Sequence, residues 1–75
     1  MTKRQVFERL DWAQSSLEFA IKHASKALEQ ARASNLLEMD DADWIYYAIE
    51  HADDARHAIL NRGLYPRLSK EVDYD

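Results

Sequence analysis

The chain has 75 residues, of which 47% are hydrophobic and 32% are charged, and it carries a net charge of −4. This length allows one small domain, residues 1–75, near the lower limit at which a single hydrophobic core suffices. The absence of cysteine excludes disulfides, thiolate nucleophiles and zinc fingers, while one glycine and one proline favour an all-α fold over a disordered chain.

The amino-terminal segment lacks the apolar core of a signal peptide, because Glu8, Arg9 and Asp11 interrupt it. The longest apolar run, residues 44–49, is far shorter than the ~20 residues of a membrane span. We therefore expect a cytoplasmic protein that makes no contact with a membrane.

A first helix is predicted over residues 3–33. Thr2 and Gln5 have the spacing of a capping box at its start, and Asn35 is suited to a left-handed stop at its end. Apolar residues within it follow each other at alternating spacings of four and three, as in helices that pack lengthwise. This first heptad series is Val6, Leu10, Ala13, Leu17, Ala20, Ala24, Ala27 and Ala31. Because most members are alanine, we expect a close contact of low hydrophobic energy.

A second helix is predicted over residues 41–62. Asp40 is its expected N-cap, and Met39 with Trp44 has the spacing of a hydrophobic staple. Gly63 is expected to end the helix in a left-handed conformation, and Pro66 to prevent its resumption, which leaves residues 64–75 as a short tail. This tail either adds one short turn of helix from Pro66 or lies extended across the hairpin. The second heptad series is Ile45, Ala48, Ala52, Ala55 and Ile59.

The short connector between the two helices requires them to run antiparallel, as a hairpin. The second helix carries apolar residues well beyond one stripe, which is typical of a helix inside a larger assembly. We therefore predict a homodimer in which two hairpins form a four-helix bundle. The alternative is a single hairpin whose tail wraps back over it.

Several aromatic residues lie off both heptad series. Trp12 and Phe19 are seven residues apart and share a face about 120° from the first series. Trp44 and Tyr47 flank the second series on one side, and Tyr46 flanks it on the other. Large aromatic side chains are the usual anchors of protein interfaces, so we interpret these five as a partner-binding surface. The alternative is that the tail or the connector covers them.

Acidic residues run along one face of the second helix, at Asp43, Glu50 and Asp54. Such a face is either simply solvated or complementary to a basic protein surface, including one that competes with nucleic acid. Small acidic inhibitors of nucleic-acid enzymes, such as phage inhibitors of bacterial defence complexes, share this character.

An alternative is a metal-binding helical bundle that uses Glu50, Asp54 and His57, which lie at positions i, i+4 and i+7 on one face. Metal sites of bundles project inward, whereas this face lies about 140° from the heptad series. We therefore expect no metal and no cofactor.

Direct binding of nucleic acid is a further alternative. The charge balance is +2 through Asn35 and −6 thereafter, and the acidic second half disfavours contact with phosphates. The basic residues that would lead such binding are Lys3, Arg4, Arg9, Lys22, Lys26 and Arg32.

No serine has a recognisable base and orienting group, so the chain is not expected to be an enzyme. The sequence predicts a non-catalytic protein–protein interaction module that acts by binding and occlusion or by scaffolding.

Overall fold

Three helices make up the structure, a computed structural model that describes residues 2–72. They are α1 (Lys3–Ala33), α2 (Asp41–Asn61) and α3 (Leu64–Val72), and no strand occurs among the described residues. The predicted all-α class is confirmed. The predicted tail is a third helix over most of its length, and residues 73–75 of that tail lie outside the described part of the chain.

The two predicted signals at the ends of α1 are both present. The Thr2 amide donates to Gln5 Oε1 at 2.9 Å, and the Gln5 amide donates to Thr2 Oγ1 at 3.1 Å, which completes the capping box. Asn35 has a φ of 57°, so it takes the expected left-handed conformation. Local sequence therefore determines both ends of this helix.

The start of α2 differs from the prediction in its side chains. Asp40 is the N-cap residue but makes no capping hydrogen bond, and the Asp41 carboxylate instead accepts from the Glu38 amide at 2.9 Å. The predicted staple is wrong, since Met39 is 95% exposed and Trp44 is also exposed. The chain enters α2 through the bond between Glu38 and Asp41, and this entry leaves the Met39 side chain in solvent.

The end of α2 is followed at once by another helix. Gly63 has a φ of 76°, as predicted for the residue that ends α2. The tail is helical over more than the one short turn that the sequence allowed from Pro66. α3 begins at Leu64, which puts Pro66 in its first turn, where a missing backbone N–H costs no hydrogen bond.

The two long helices lie side by side and antiparallel. Glu18 on α1 lies 4.0 Å from Arg56 on α2, and Leu10 lines the same depression as Ala58 and Ile59. The early part of α1 therefore lies beside the late part of α2.

The packing register of both helices differs from the predicted heptad series. Ala20 and Ala27 of α1 are exposed, and Ile21 and Leu28 occupy the contact in their place. Larger aliphatic side chains remove more apolar surface from water than alanine, so the helix is rotated to bury them.

The predicted register of α2 fails at the corresponding positions. Ala48 and Ala55 are exposed, whereas Ile49 and Arg56 are half-buried. Ile49 displaces Ala48 because it buries more apolar surface. Arg56 then follows Ile49 on the same face, seven residues later.

α3 closes one end of the pair of long helices. The Tyr65 ring stacks on Phe7 with centroids 4.9 Å apart, and the Tyr65 hydroxyl donates to Asp11 Oδ1 at 2.7 Å. Lys3 and Glu71 form an ion pair at 3.1 Å. These contacts fasten α3 to the first three turns of α1.

The buried core is small for a chain of this size. Among the described residues only Leu28 and Leu68, at 4% and 5% exposure, are buried hydrophobic residues. The molecule measures 52 × 17 × 17 Å, and its radius of gyration of 16.4 Å exceeds the roughly 11 Å expected of a compact domain. Within the described residues, no helix has the length and apolar character needed to cross a lipid bilayer.

The elongated shape leaves an unusually large surface in water. The accessible surface is 6031 Å², whereas a monomer of 8.8 kDa is expected to expose about 4,800 Å². The excess of roughly 1,200 Å² is spread over long, narrow helix faces.

Candidate protein-binding surfaces

One candidate surface lies on the side of α1 that faces away from α2. Trp12 and Phe19 are 74% and 64% exposed there. We call the surface formed by Trp12, Ser16, Phe19 and His23 the α1 aromatic face. The His23 ring lies 4.4 Å from that of Phe19, and the Ser16 hydroxyl donates to the Trp12 carbonyl at 2.8 Å. The large side chains are thus supported only by their own helix.

Shallow depressions on α1 surround these aromatic side chains. Trp12 and Phe19 line one depression with Asp11, Ser15 and Ser16. Trp12 also borders a neighbouring depression with Gln5, Glu8 and Arg9. The α1 aromatic face therefore combines apolar rings with polar edges, the usual composition of a protein interface.

A second candidate surface lies on the outer side of α2. The Tyr47 ring stacks on His51 at 3.9 Å, and Trp44 meets Tyr47 edge to face at 5.9 Å. We call these three residues the α2 aromatic face. Contacts between successive rings hold their orientations, because each ring lies three or four residues from the next along the helix.

The five predicted aromatic anchors do not form one surface. Helical periodicity puts Trp12 and Phe19 roughly 160° from the residues of α1 that contact α2, and it puts Tyr47 at a similar angle on α2. The depression beside Trp12 and Phe19 is lined by α1 alone, and the one beside Trp44 and Tyr47 by α2 alone. The two aromatic faces therefore lie on opposite outer sides of the molecule.

Tyr46 is separate from both aromatic faces. It is exposed and lies two residues from Trp44, so it points to the other side of α2.

The acidic residues Asp43, Glu50 and Asp54 are all exposed on α2. None of the three forms an ion pair with another described residue. Asp43 lines the depression beside Trp44 and Tyr47, so a carboxylate lies at the edge of the α2 aromatic face.

The alternative metal set does not assemble into a site. Within residues 2–72, no three histidine, aspartate or glutamate side chains converge in a way that could hold a metal ion. Glu50, Asp54 and His57 share a helix face, but His57 Nδ1 lies 3.6 Å from Asp53 Oδ2. His57 is thus part of a local pair within one helix.

The predicted basic set is partly occupied by carboxylates. Lys3 pairs with Glu71, and Lys22 lies 3.7 Å from Glu18. Phosphate binding by these two lysines would have to displace those partners.

Two exposed apolar residues of the connector were not among the predicted site residues. Leu36 is 69% exposed and Met39 is 95% exposed. Their signal in the sequence is the apolar composition of a segment between two helices, since connectors are normally polar.

The contact between Tyr65 and Asp11 was also not predicted, because the two residues are 54 positions apart. The hydrogen bond to Asp11 raises the pKa of Tyr65 above its usual value of 10.0, and burial and the negative charge of Asp11 act in the same direction.

Comparison with known proteins found no matching family model, curated protein or solved structure.

Proposed function

We propose that this chain is a non-catalytic protein-binding module whose α1 aromatic face is the docking surface for another protein. The observation that carries the proposal is the exposure of Trp12 and Phe19, 74% and 64%, on a helix side that neither α2 nor α3 covers. Exposed tryptophan and phenylalanine side chains are costly in water and are typical anchors of interfaces.

The geometry of α1 suits binding to an apolar groove. Trp12 and Phe19 lie two turns apart, roughly 10 Å along the helix axis. A helix that presents large side chains at this spacing can insert both of them into one groove of a partner. Because α3 and α2 hold α1 along its length, little ordering entropy is lost on binding. The module would then act by occluding the partner or by holding it in place.

Affinity capture with three versions of the full chain tests this proposal. We expect the wild type to retain proteins that Trp12→Ala/Phe19→Ala does not retain. Leu36→Ala is the matched control, since Leu36 is as exposed as Phe19 but lies outside the α1 aromatic face. Each retained protein is then purified and titrated calorimetrically against all three versions. Equal binding by the double variant and the wild type would reject the α1 aromatic face as the docking surface.

A basic partner is a second candidate, favoured by Asp43 at the edge of the α2 aromatic face. A carboxylate beside exposed rings can pair with a basic residue while the rings bury its apolar neighbours. The test is capture by Asp43→Asn/Glu50→Gln/Asp54→Asn alongside the wild type. Selective loss of basic proteins, with a salt-dependent affinity for the wild type, is the expected result.

We also propose that the chain forms a homodimer, as the sequence predicts. The excess surface of roughly 1,200 Å² supports it, since a standard interface covers about 800 Å² of each partner.

A further inference from the structure

We infer that a second copy of this chain docks on the α2 aromatic face, with the two α2 helices antiparallel about a two-fold axis at His51. This inference rests on the proposed binding function and identifies one partner as the chain itself. It assigns the α2 aromatic face to self-association and leaves the α1 aromatic face for a different protein.

The α2 aromatic face belongs to a stripe of exposed residues along α2 whose spacing suits pairing with a second copy. The stripe begins one residue before α2 and ends one residue after it. Its seven residues are separated by 4, 3, 4, 4, 3 and 4 positions. All seven are exposed and lie within one narrow sector of the helix. The last two, Ala58 and Arg62, also border the depression that α2 shares with Leu10 and α3. The residues are Asp40, Trp44, Tyr47, His51, Ala55, Ala58 and Arg62. The spacing reads the same in both directions from His51, as antiparallel pairing of identical helices requires.

The side chains that such a pairing would bring together are complementary in size. Trp44 would lie over the second copy's Ala58, and Tyr47 over the second copy's Ala55. His51 would face the same residue of the other copy. Each large ring thus meets an alanine, which lets the helix axes approach to about 8–10 Å without steric conflict.

The charges at the two ends of the stripe favour the antiparallel orientation. In the antiparallel pair, Asp40 of each copy meets Arg62 of the other, so both ends of the interface carry opposite charges. A parallel pair would instead put Asp40 beside Asp40, Arg62 beside Arg62 and Trp44 against Trp44. Like charges and clashing rings therefore oppose the parallel arrangement, and the pattern specifies orientation as well as contact.

The exposed area of α2 also favours pairing. α2 is 21 residues long, about 32 Å, and its outer side contributes to an accessible surface well above that of a typical monomer. Covering the stripe in both copies removes Trp44 and Tyr47 from water at once.

Charge reversal tests the pairing in solution. Sedimentation equilibrium of the wild type is expected to give a dimer at micromolar concentration. Asp40→Arg alone and Arg62→Asp alone should each weaken association about tenfold or more, because each creates two like-charge contacts per dimer. Mixing the two variants, or combining both changes in one chain, should restore it. Asp40 makes no capping hydrogen bond, so its replacement removes no side-chain cap from the start of α2.

Cysteine cross-linking tests the orientation, since the chain has no cysteine of its own. His51→Cys should form a disulfide-linked dimer under mild oxidation. Ala58→Cys should not, because the two copies of residue 58 would be separated by roughly 21 Å along the helices. A parallel dimer would cross-link at both positions.

The outcomes separate this inference from the proposed function. A wild type that is monomeric throughout the concentration range, a dimer insensitive to charge reversal, or efficient cross-linking at residue 58 would overturn the antiparallel dimer. None of these results bears on capture through Trp12 and Phe19. Restored association in the mixture, together with cross-linking at residue 51 alone, supports the inference and also excludes misfolding of the single variants as the cause of their loss.

Discussion

The two ends of the molecule are held together very differently. At the end closed by α3, Tyr65 contacts both Phe7 and Asp11, and Leu68 is buried. Towards the connector, Leu28 is buried between the long helices, but Leu36 and Met39 of the connector itself extend into solvent. One end thus joins elements that are distant in sequence, whereas the other is a turn with exposed apolar side chains.

This difference indicates that the contacts that stabilise the fold are unevenly distributed along the molecule. With so small a core, a few contacts between α3 and α1 contribute a large share of the free energy of folding. Apolar residues at the connector and on the outer helix faces contribute little to folding because they remain in water. Substitutions at the two ends test whether stability is concentrated at the end closed by α3.

The largest effect is expected from Leu68→Ala. Removing a buried leucine side chain loses its transfer free energy and leaves a cavity, so the free energy of unfolding should fall by about 2–4 kcal/mol. Leu36→Ala makes the same chemical change at a site that is 69% exposed, and we expect less than about 0.5 kcal/mol there. Urea denaturation followed by circular dichroism measures both. Equal losses would mean that the closed end is no more important to stability than the connector.

A smaller effect is expected from Ala24→Met, which probes the contact between the long helices. Ala24 is half-buried on the α2 side of α1, so a longer side chain should force the helices apart and cost about 1–3 kcal/mol. Ala33→Met is the matched control, because Ala33 is an exposed alanine of the same helix. Similar thermal midpoints for both variants would contradict the observed packing.

The register of this contact could be predicted only in part. The alternating spacing of four and three correctly predicted helices that pack lengthwise, and Leu10, Leu17 and Ala24 do face inward. The same spacing also fits a second series, in which Ile21 replaces Ala20 and Leu28 replaces Ala27. The larger apolar area of Ile21 and Leu28 favours the second series, and the spacing of apolar residues alone does not show this difference in area.

Features that depend on neighbouring residues could be predicted from the sequence, whereas features that depend on contacts between distant residues could not. The capping box at Thr2 and the left-handed Asn35 and Gly63 depend on neighbouring residues, and all three agree with the structure. The start and length of α3 could not be predicted, because Pro66 fits either a helix stop or a first helical turn, and a contact 54 residues away favours the second. The exposed aromatics were predicted individually, but their division into two faces required the helix orientations.

Tyr65→Phe removes one hydrogen bond from the closed end while it retains the ring that stacks on Phe7. The expected loss is about 1 kcal/mol at neutral pH, the usual contribution of such a bond. Phe7→Leu provides a comparison that disturbs the stacking and keeps the hydrogen bond to Asp11. Denaturant midpoints that are unchanged in Tyr65→Phe would indicate that the bond adds nothing to stability.

The same hydrogen bond predicts a dependence on alkaline pH. The pKa of Tyr65 is raised in the folded chain, so its contribution is fully present below the usual value of 10.0 and is lost as the pH rises through the folded value. The stability difference between wild type and Tyr65→Phe should therefore be constant from neutral pH to about 9 and should shrink above that. Because both proteins share every other titrating group, the difference isolates Tyr65. A gap that widens with alkaline pH would contradict the assigned hydrogen bond.

The smallest effect is expected from Arg56→Met, at the middle of the molecule between the two ends. Arg56 lies 4.0 Å from Glu18, and its buried Nε has no hydrogen-bond acceptor among the described residues. A long ion pair at a half-exposed site contributes about 0–1 kcal/mol, while an unpaired buried donor costs a comparable amount. Methionine keeps the apolar stem without the charge, so the free energy of unfolding should stay within about 0.5 kcal/mol or rise. Glu18→Gln should have a similarly small effect, and a loss above about 1 kcal/mol in either variant would mean that this ion pair stabilises the contact between the long helices.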